Sequence, residues 1–333
     1  MEKFQIGIQQ IMTETQNMED ASMRSGDIPS ILALAYRKFR EGELEGGIRE
    51  LEKGFEIDFE HREVVFALKC AQYWKDRLDT SRTLEGDFER AEYLISQWKV
   101  FPAFYRKLGS LSDMCTSSLK RLVFQTCLGL YEGLYNAHTG SKDADLFLRI
   151  GRCHKALGSY DSALKYLSTA NGMKREESEI LGELADCYAL VNEMQLSKVF
   201  FREAFFLNPQ GVDLALLESE MILRLISKLE EFGYTPPYLA EWIPVYGVLL
   251  GVFNVKRELR SIEYGKLRQG IYMLEMELRE HPEKKELLVP RLLNRYFWLI
   301  DHYLSIKEEK SKIDEVLLKI KHIHPSIYEQ YTK

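Results

Sequence analysis

The sequence predicts an all-α protein, and three observations carry that prediction. One apolar pattern, with the spacing of two short facing helices, occurs twice between 143 and 209 at an offset of 34 residues. No sustained alternation of apolar and polar residues, which is typical of a half-buried strand, appears beside the helical stripes. Hydrophobic residues form 45% of the 333-residue chain, which has only 21 glycines and 9 prolines, so we expect an ordered protein.

Each copy of the repeated pattern has four residues on a first helix and three on a second. Gly151 and Ala185 are small because the paired helix crosses there, and large residues fill the gaps on either side. The second copy ends at Asn208-Pro209, where proline cannot continue a helix. The paired positions are Phe147 and Leu181, Ile150 and Leu184, Gly151 and Ala185, His154 and Tyr188, Ala163 and Ser197, Leu167 and Phe201, and Ala170 and Ala204.

These residues resemble the tetratricopeptide repeat (TPR), which combines a large residue, a Leu-Gly pair, an aromatic, an alanine, a second large residue and a terminal proline. The departures are His154, where an aromatic is usual, and Arg175, where proline is usual. The clear resemblance covers 144–209, about a fifth of the chain. It implies a right-handed α-solenoid of antiparallel helix hairpins, a TPR-like superhelix, whose concave groove holds a peptide or helix of another protein.

Composition breaks divide the chain into four parts. Residues 28–138 and 212–333 are expected to form divergent TPR-like helical hairpins on either side of the two tandem repeats of 144–209. Residues 1–25 are expected to form a helix that either caps the array or docks on a partner. Its apolar face carries Phe4, Ile8, Ile11, Met12 and Met18.

Turn-forming residues predict the boundaries of the helices in the first part. A turn at Glu41-Gly42-Glu43 separates two helices within 28–59, and a longer loop is expected at 78–85. Because proline disfavours a helix interior, Pro102 is expected to restart the chain before an apolar helix over 122–137.

The same reasoning predicts the boundaries after the repeats. One helix is expected over 212–232, followed by a strong break at 233–237. Gly265 is expected to lie in a turn, and 287–304 and 313–323 to form a last hairpin.

Charge and apolar content exclude several classes of protein. The net charge of −6, from 45 basic and 51 acidic residues, gives no basic footprint for nucleic acid. The longest uncharged apolar run, 242–255, is too short to span a bilayer and is expected to be a buried helix. Glu2 and Gln9-Gln10 do not fit an export signal, so we expect a cytoplasmic protein.

The sequence contains none of the common catalytic or cofactor signatures. It has no His-Glu-x-x-His, no Gly-x-Ser-x-Gly, no phosphate-cradling glycine loop and no dinucleotide fingerprint. We therefore expect no catalytic residue, no cofactor and no metal. His322 and His324 point about 200° apart on a helix, which disfavours a shared metal. The five cysteines, an odd number without a Cys-x-x-Cys pair, indicate no disulfide framework, and Cys153 and Cys187 are expected to fill the core.

The resemblance also indicates a candidate binding face. Once the crossing residues are assigned, two interpretations of the remaining charges stay open. Either Arg152 pairs with Asp186 at the surface, or the charges grip a partner segment. The family's variant that holds a C-terminal carboxylate with lysines and asparagines is not matched, because the second copy offers acids. The residues that the resemblance places in the groove are Leu148, Arg152 and Lys155 of the first copy, and Glu179, Asp186 and Ala189 of the second.

The expected function is that of a non-catalytic scaffold or adaptor that binds another protein or peptide, or further copies of itself, within a multiprotein assembly. Two alternatives remain. Residues 42–77 are similar to repeat proteins of the flagellar-motor collar of spirochaetes, which implies a structural subunit in the periplasm. An alternative of another class is a helical enzyme or small-molecule sensor framed by repeats, which requires a convergent polar cluster.

Overall fold

The computed structural model describes residues 27–109, 111–137, 143–256 and 258–333. Within these ranges the chain has 15 α-helices, three short 3-10 turns and no strand, so the all-α prediction is confirmed. None of the described helices combines the length and the apolar character needed to cross a membrane. The predicted helix over 1–25 lies outside the described residues.

The chain divides into two compact units. Unit 1 contains the described residues up to 137 together with Ala156–Gly158, and unit 2 contains 143–155 and Ser159–Lys333. The helices of unit 1 are α1 (Ile28–Arg40), α2 (Leu44–Ile57), α3 (Arg62–Arg82), α4 (Asp87–Lys107) and α5 (Asp113–Ala137). The further helices are α6 (Ala144–Ala156), α7 (Tyr160–Met173), α8 (Ser178–Leu190), α9 (Met194–Leu207), α10 (Glu220–Glu231), α11 (Tyr238–Leu249), α12 (Ser261–Glu280), α13 (Lys285–Ser305), α14 (Lys310–Ile323) and α15 (Pro325–Tyr331).

Unit 1 is built from helices that each pack against the next, and α5 also packs against α1 and α3. Aromatic rings join α3, α4 and α5 in its core. The ring centroids of Trp74 and Trp98 are 5.8 Å apart, and those of Trp98 and Phe124 are 5.5 Å apart. These contacts explain why α4 continues through Pro102, where the sequence predicted a restart: the packing of Trp98 and Phe101 outweighs a proline cost of about 3 kcal/mol.

Several other boundaries differ from the predictions. Helix α3 continues to Arg82, so the connection to α4 is shorter than the predicted loop at 78–85. Gly265 lies inside α12 rather than in a turn. The predicted helix over 212–232 begins only at Glu220, because 209–219 forms two 3-10 turns and extended backbone. The turn at 41–43, the break at 233–237 and the hairpin of α13 with α14 are confirmed.

The predicted crossing of α6 and α7 is confirmed at Gly151. A β-carbon placed on this glycine would lie 2.7 Å from Cγ and 2.9 Å from Cδ2 of Leu167, closer than side-chain atoms approach one another. Ala163 and Ala170 of α7 are fully buried beside this contact. The α8–α9 hairpin has Ala185 and Phe201 in the equivalent, fully buried positions. Small residues at the crossing therefore set the spacing of the paired helices.

This contact predicts a difference between two glycines of the α6–α7 hairpin. Gly151→Ala should lower the free energy of unfolding by about 1–3 kcal/mol, because the added methyl group has to displace Leu167. Gly172→Ala is the matched control, since a β-carbon at Gly172 meets no atom within 4 Å. It should leave stability unchanged or raise it by up to about 1 kcal/mol. Urea denaturation measures both, and equal stability of the two variants would show that the helices do not cross at Gly151.

Candidate functional site

The candidate site is the face on which α6 and α8 lie side by side. Ion pairs join the two helices along this face. Nε of Arg152 donates to Oε1 of Glu183 at 2.7 Å, and Nη2 donates to Oε1 of Glu179 at 2.8 Å. One turn further along, Nζ of Lys155 lies 2.6 Å from Oε2 of Glu183 and 2.5 Å from Oδ2 of Asp186. Two cations and three carboxylates therefore form one continuous network.

The part of the chain that follows α9 lies over this network. The covering segment, residues 209–219, crosses the face of α6 and α8. The Asp186 carboxylate accepts hydrogen bonds from the backbone N–H groups of Glu218, at 2.9 Å, and Ser219, at 2.8 Å. The Lys155 ammonium donates to the backbone carbonyl of Leu216 at 3.0 Å. The network thus holds the covering segment by its backbone.

Close packing against α8 also holds the covering segment. A β-carbon on Gly182 of α8 would lie 2.9 Å from Cγ1 of Val212, so the glycine allows the segment to approach the helix. Val212 and Leu217 are buried in the same core as Leu181 and Ala185. The covering segment is therefore part of the core of unit 2.

A further ion pair holds the beginning of the covering segment. The amide of Gln210 donates to the Glu241 carboxylate at 3.0 Å and to the carbonyl of Pro237 at 2.8 Å. Glu241 is fully buried and receives both Nε, at 2.8 Å, and Nη2, at 2.6 Å, of Arg291. The segment is thus anchored on α11 as well as on α8, and Arg291 of α13 holds the Glu241 carboxylate that receives it.

Burial and pairing act in opposite directions on the charges of the network. Burial alone would lower the pKa of the Lys155 ammonium, but Asp186 and Glu183 outweigh it, so the pKa lies above its ordinary value. The pKa of Arg152 is raised in the same way, against its burial, by Glu183 and Glu179. Burial would raise the pKa of Glu183, but Lys155 and Arg152 bring it below its ordinary value. The folded protein therefore keeps all three groups charged at neutral pH.

The structure changes the interpretation of the six predicted groove residues. Leu148, Arg152, Lys155 and Asp186 are buried, so these four side chains do not present an open surface. Glu179 is half-buried beside Arg152, and Ala189 keeps part of its surface exposed. Arg152 pairs with Glu179 and Glu183 instead of with Asp186. Asp186 lies almost one turn beyond Glu183 on α8, where it pairs with Lys155.

Two participants were missed in the sequence. Glu183, which bridges both cations, lies four residues after Glu179 on the same face of α8, and this spacing could have indicated it. The covering segment was predicted to be helical from Val212 onward. Two residues signalled that the helix begins later than predicted. They are Gly211 and Ser219, and serine is common just before the first turn of a helix.

The structure also shows the surroundings of the cysteines and of His324. All five cysteines are buried and none of them is in a disulfide, as expected for Cys153 and Cys187. The ring of His324 lies 5.6 Å from that of Trp242. In the part of the chain that the structure describes, no three His, Cys, Asp or Glu side chains are grouped so as to hold a metal ion.

An open cleft of about 660 Å³ begins where the covering segment ends. Ala189 borders it, and it is the one predicted groove residue that does so. Ser219 belongs to both the covering segment and the cleft. The apolar lining of this cleft consists of Met194, Met221, Leu225, Leu250 and Val252, and its charged lining of Glu220, Arg224 and Lys228.

Comparison of the sequence with models of known protein families gives no match, and comparison with curated proteins gives none either.

The network predicts a large difference between two lysines of unit 2. Lys155→Met should lower the free energy of unfolding by about 3–5 kcal/mol, because the buried Asp186 carboxylate would lose its cation and Glu183 would keep only Arg152. Lys174→Met is the control: Lys174 is half exposed and lies 3.1 Å from Glu177, so its loss should cost at most about 1 kcal/mol. Urea denaturation at neutral pH gives both values. A small, equal loss in both variants would mean that Lys155 is not an essential partner of the acids.

The lowered pKa of Glu183 predicts a dependence of stability on acid. Because the folded-state pKa lies below the unfolded value of about 4.3, the contribution of Glu183 is complete at neutral pH. It is lost as the pH falls from the unfolded value through the folded-state pKa. In urea denaturation between pH 7 and pH 3, Glu183→Gln should be less stable than wild type at neutral pH, and this difference should shrink in acid. Parallel curves for the two proteins would contradict the pairing of Glu183.

Proposed function

We propose that the protein is a non-catalytic scaffold of TPR-like helix hairpins, arranged as a right-handed α-solenoid, that binds segments of other proteins. The observation that carries the proposal is the covering segment on α6 and α8. These two helices already hold a stretch of non-helical chain, as a peptide-binding face does. The resemblance of 144–209 to tetratricopeptide repeats supports the same function.

The contacts of the covering segment have the chemistry of peptide recognition. A carboxylate that accepts two successive N–H groups, and an ammonium that donates to a nearby carbonyl, recognise backbone rather than side chains. The space above Gly182 adds a preference for an apolar side chain, filled here by Val212. Backbone hydrogen bonds that give affinity and side-chain pockets that give specificity are a general mode of binding extended segments.

A partner requires a surface that the chain does not already fill. Since residues 209–219 occupy the face of α6 and α8, we place the partner in the cleft that continues from Ser219. Its volume of about 660 Å³ suits one or two large side chains. Met194 and Met221 are flexible apolar residues that adapt to the shape of a ligand. The mixed charges of Glu220, Arg224 and Lys228 suit a segment with an apolar anchor between polar residues of both signs.

Peptide binding to the purified full-length protein tests this proposal. Peptides selected from a random display library should share an apolar anchor, and calorimetry should give saturable binding. Leu250→Glu, which puts a charge on a cleft residue that is 46% exposed, should weaken that binding at least tenfold. Leu223→Glu is the matched control, since Leu223 lies on α10 with 42% exposure and does not line the cleft.

Three outcomes would change the proposal. Failure to select any binding peptide would remove the scaffold function. Equal binding by wild type and Leu250→Glu would leave a peptide-binding scaffold but move its site away from the cleft. Saturable binding of a metabolite in place of peptides would favour the small-molecule sensor.

A further inference from the structure

An open pocket of about 680 Å³ lies in unit 2 between the break at 233–237 and the helices α11, α13, α14 and α15. It shares no lining residue with the cleft at Ser219. We call it the aromatic pocket, because Tyr234, Tyr238 and Trp242 line it together with the ring of His324. Its aliphatic lining consists of Val289, Ile323 and Pro325.

The aromatic rings of the pocket are grouped. Tyr238 and Trp242 are four residues apart on α11, so they lie on the same face of that helix. The ring centroid of Trp242 is 5.0 Å from that of Tyr234 and 5.6 Å from that of His324. Tyr238 is the most exposed of the four, with 37% of its surface open to solvent. The pocket therefore offers an aromatic surface that an apolar group can reach.

The charges of the lining cancel. Lys285 and Glu286, at the start of α13, are both exposed, and neither forms an ion pair in the part of the chain that the structure describes. Burial, with Lys285 nearby, lowers the pKa of His324 below its ordinary value, so this ring is uncharged at neutral pH. The ammonium disfavours a cationic occupant, and the carboxylate disfavours an anionic one. The aromatic pocket thus suits an uncharged occupant.

Hydrogen-bond donors without a partner belong to the same lining. The hydroxyl of Tyr238 and the indole N–H of Trp242 form no hydrogen bond within the described residues. The N–H groups of Trp74 and Trp298 are closed off from solvent, whereas that of Trp242 is not. Glu286 is the only lining side chain that accepts hydrogen bonds without also being able to donate them. The pocket therefore favours an occupant that brings acceptors.

We propose that the aromatic pocket binds a proline-rich segment of another protein. Proline has no N–H group, so such a segment brings carbonyl acceptors to Trp242 and Tyr238 and buries no donor of its own. Its apolar rings pack on aromatic side chains, and its polyproline II helix is formed before binding, which lowers the entropy cost of ordering it. A segment of other residues would bury N–H groups for which the lining supplies few acceptors.

This inference goes beyond the proposed binding at the cleft, because it gives unit 2 a second surface with its own class of partner. Calorimetry of the purified full-length protein with an acetylated oligoproline peptide tests it. Wild type should bind oligoproline saturably. It should bind an alanine–glutamine peptide of the same length at least tenfold more weakly, because that peptide carries N–H groups and no rings.

Two exposed tyrosines of unit 2 give a matched pair of variants. Tyr238→Ala should weaken oligoproline binding at least tenfold, because it removes the most exposed ring of the pocket. Tyr272→Ala should bind as wild type does, since Tyr272 is 58% exposed on α12 and does not line the pocket. Trp242→Phe, which keeps a ring but lacks the N–H donor, should bind several-fold more weakly. Circular dichroism shows whether each variant is folded.

The pocket and the cleft are tested separately. Leu250→Glu should leave oligoproline binding unchanged, and Tyr238→Ala should leave the binding of cleft peptides unchanged. No saturation of wild type at about 1 mM oligoproline would overturn the inference. Equal binding by wild type and Tyr238→Ala would also overturn it, because the peptide would then bind elsewhere. Equal affinity of wild type for the two peptides would overturn the preference for proline.

Discussion

The buried ammonium of Lys155 connects three parts of unit 2 that the sequence separates by up to 61 residues. It lies between Glu183 and Asp186 of α8 and also holds the carbonyl of Leu216. A buried charge is tolerated only when all its partners are present, since the cost of taking it out of water is several kcal/mol. The two repeats and the covering segment are therefore stable only together, although neighbouring hairpins of a repeat protein commonly contribute in an additive way.

Apolar side chains of similar volume could fill the same space with equal or greater stability, as replacements of buried ion pairs in other proteins show. Charged groups differ from apolar ones because their hydrogen bonds have a preferred direction. The Asp186 carboxylate accepts from two successive N–H groups, and the Lys155 ammonium donates to one carbonyl, so only one placement of residues 216–219 satisfies both. An apolar contact alone would allow the segment to slide. The network thus fixes the register of a stretch that consists of two 3-10 turns and extended backbone.

The sequence predicted the elements whose signals are local. The crossing at Gly151 follows from the size of the side chains at fixed spacing, and the turn at 41–43 follows from turn-forming residues. Pro102 was misjudged because the aromatic contacts that hold α4 through it involve α3 and α5, which are distant in sequence. The face of α6 and α8 was identified correctly as charged. The sequence did not predict that the covering segment lies over this face, because the segment can do so only if 209–219 does not form an α-helix.

The burial of all five thiols has a practical meaning for studies of this protein. A thiol reagent in solution reacts only after the surrounding structure opens, so the rate of labelling measures the population or the rate of the opening. Cys70, Cys115 and Cys127 belong to unit 1, and Cys153 and Cys187 to unit 2. The natural sequence therefore carries reporters in each unit, and the order in which the thiols become labelled tells which unit opens first.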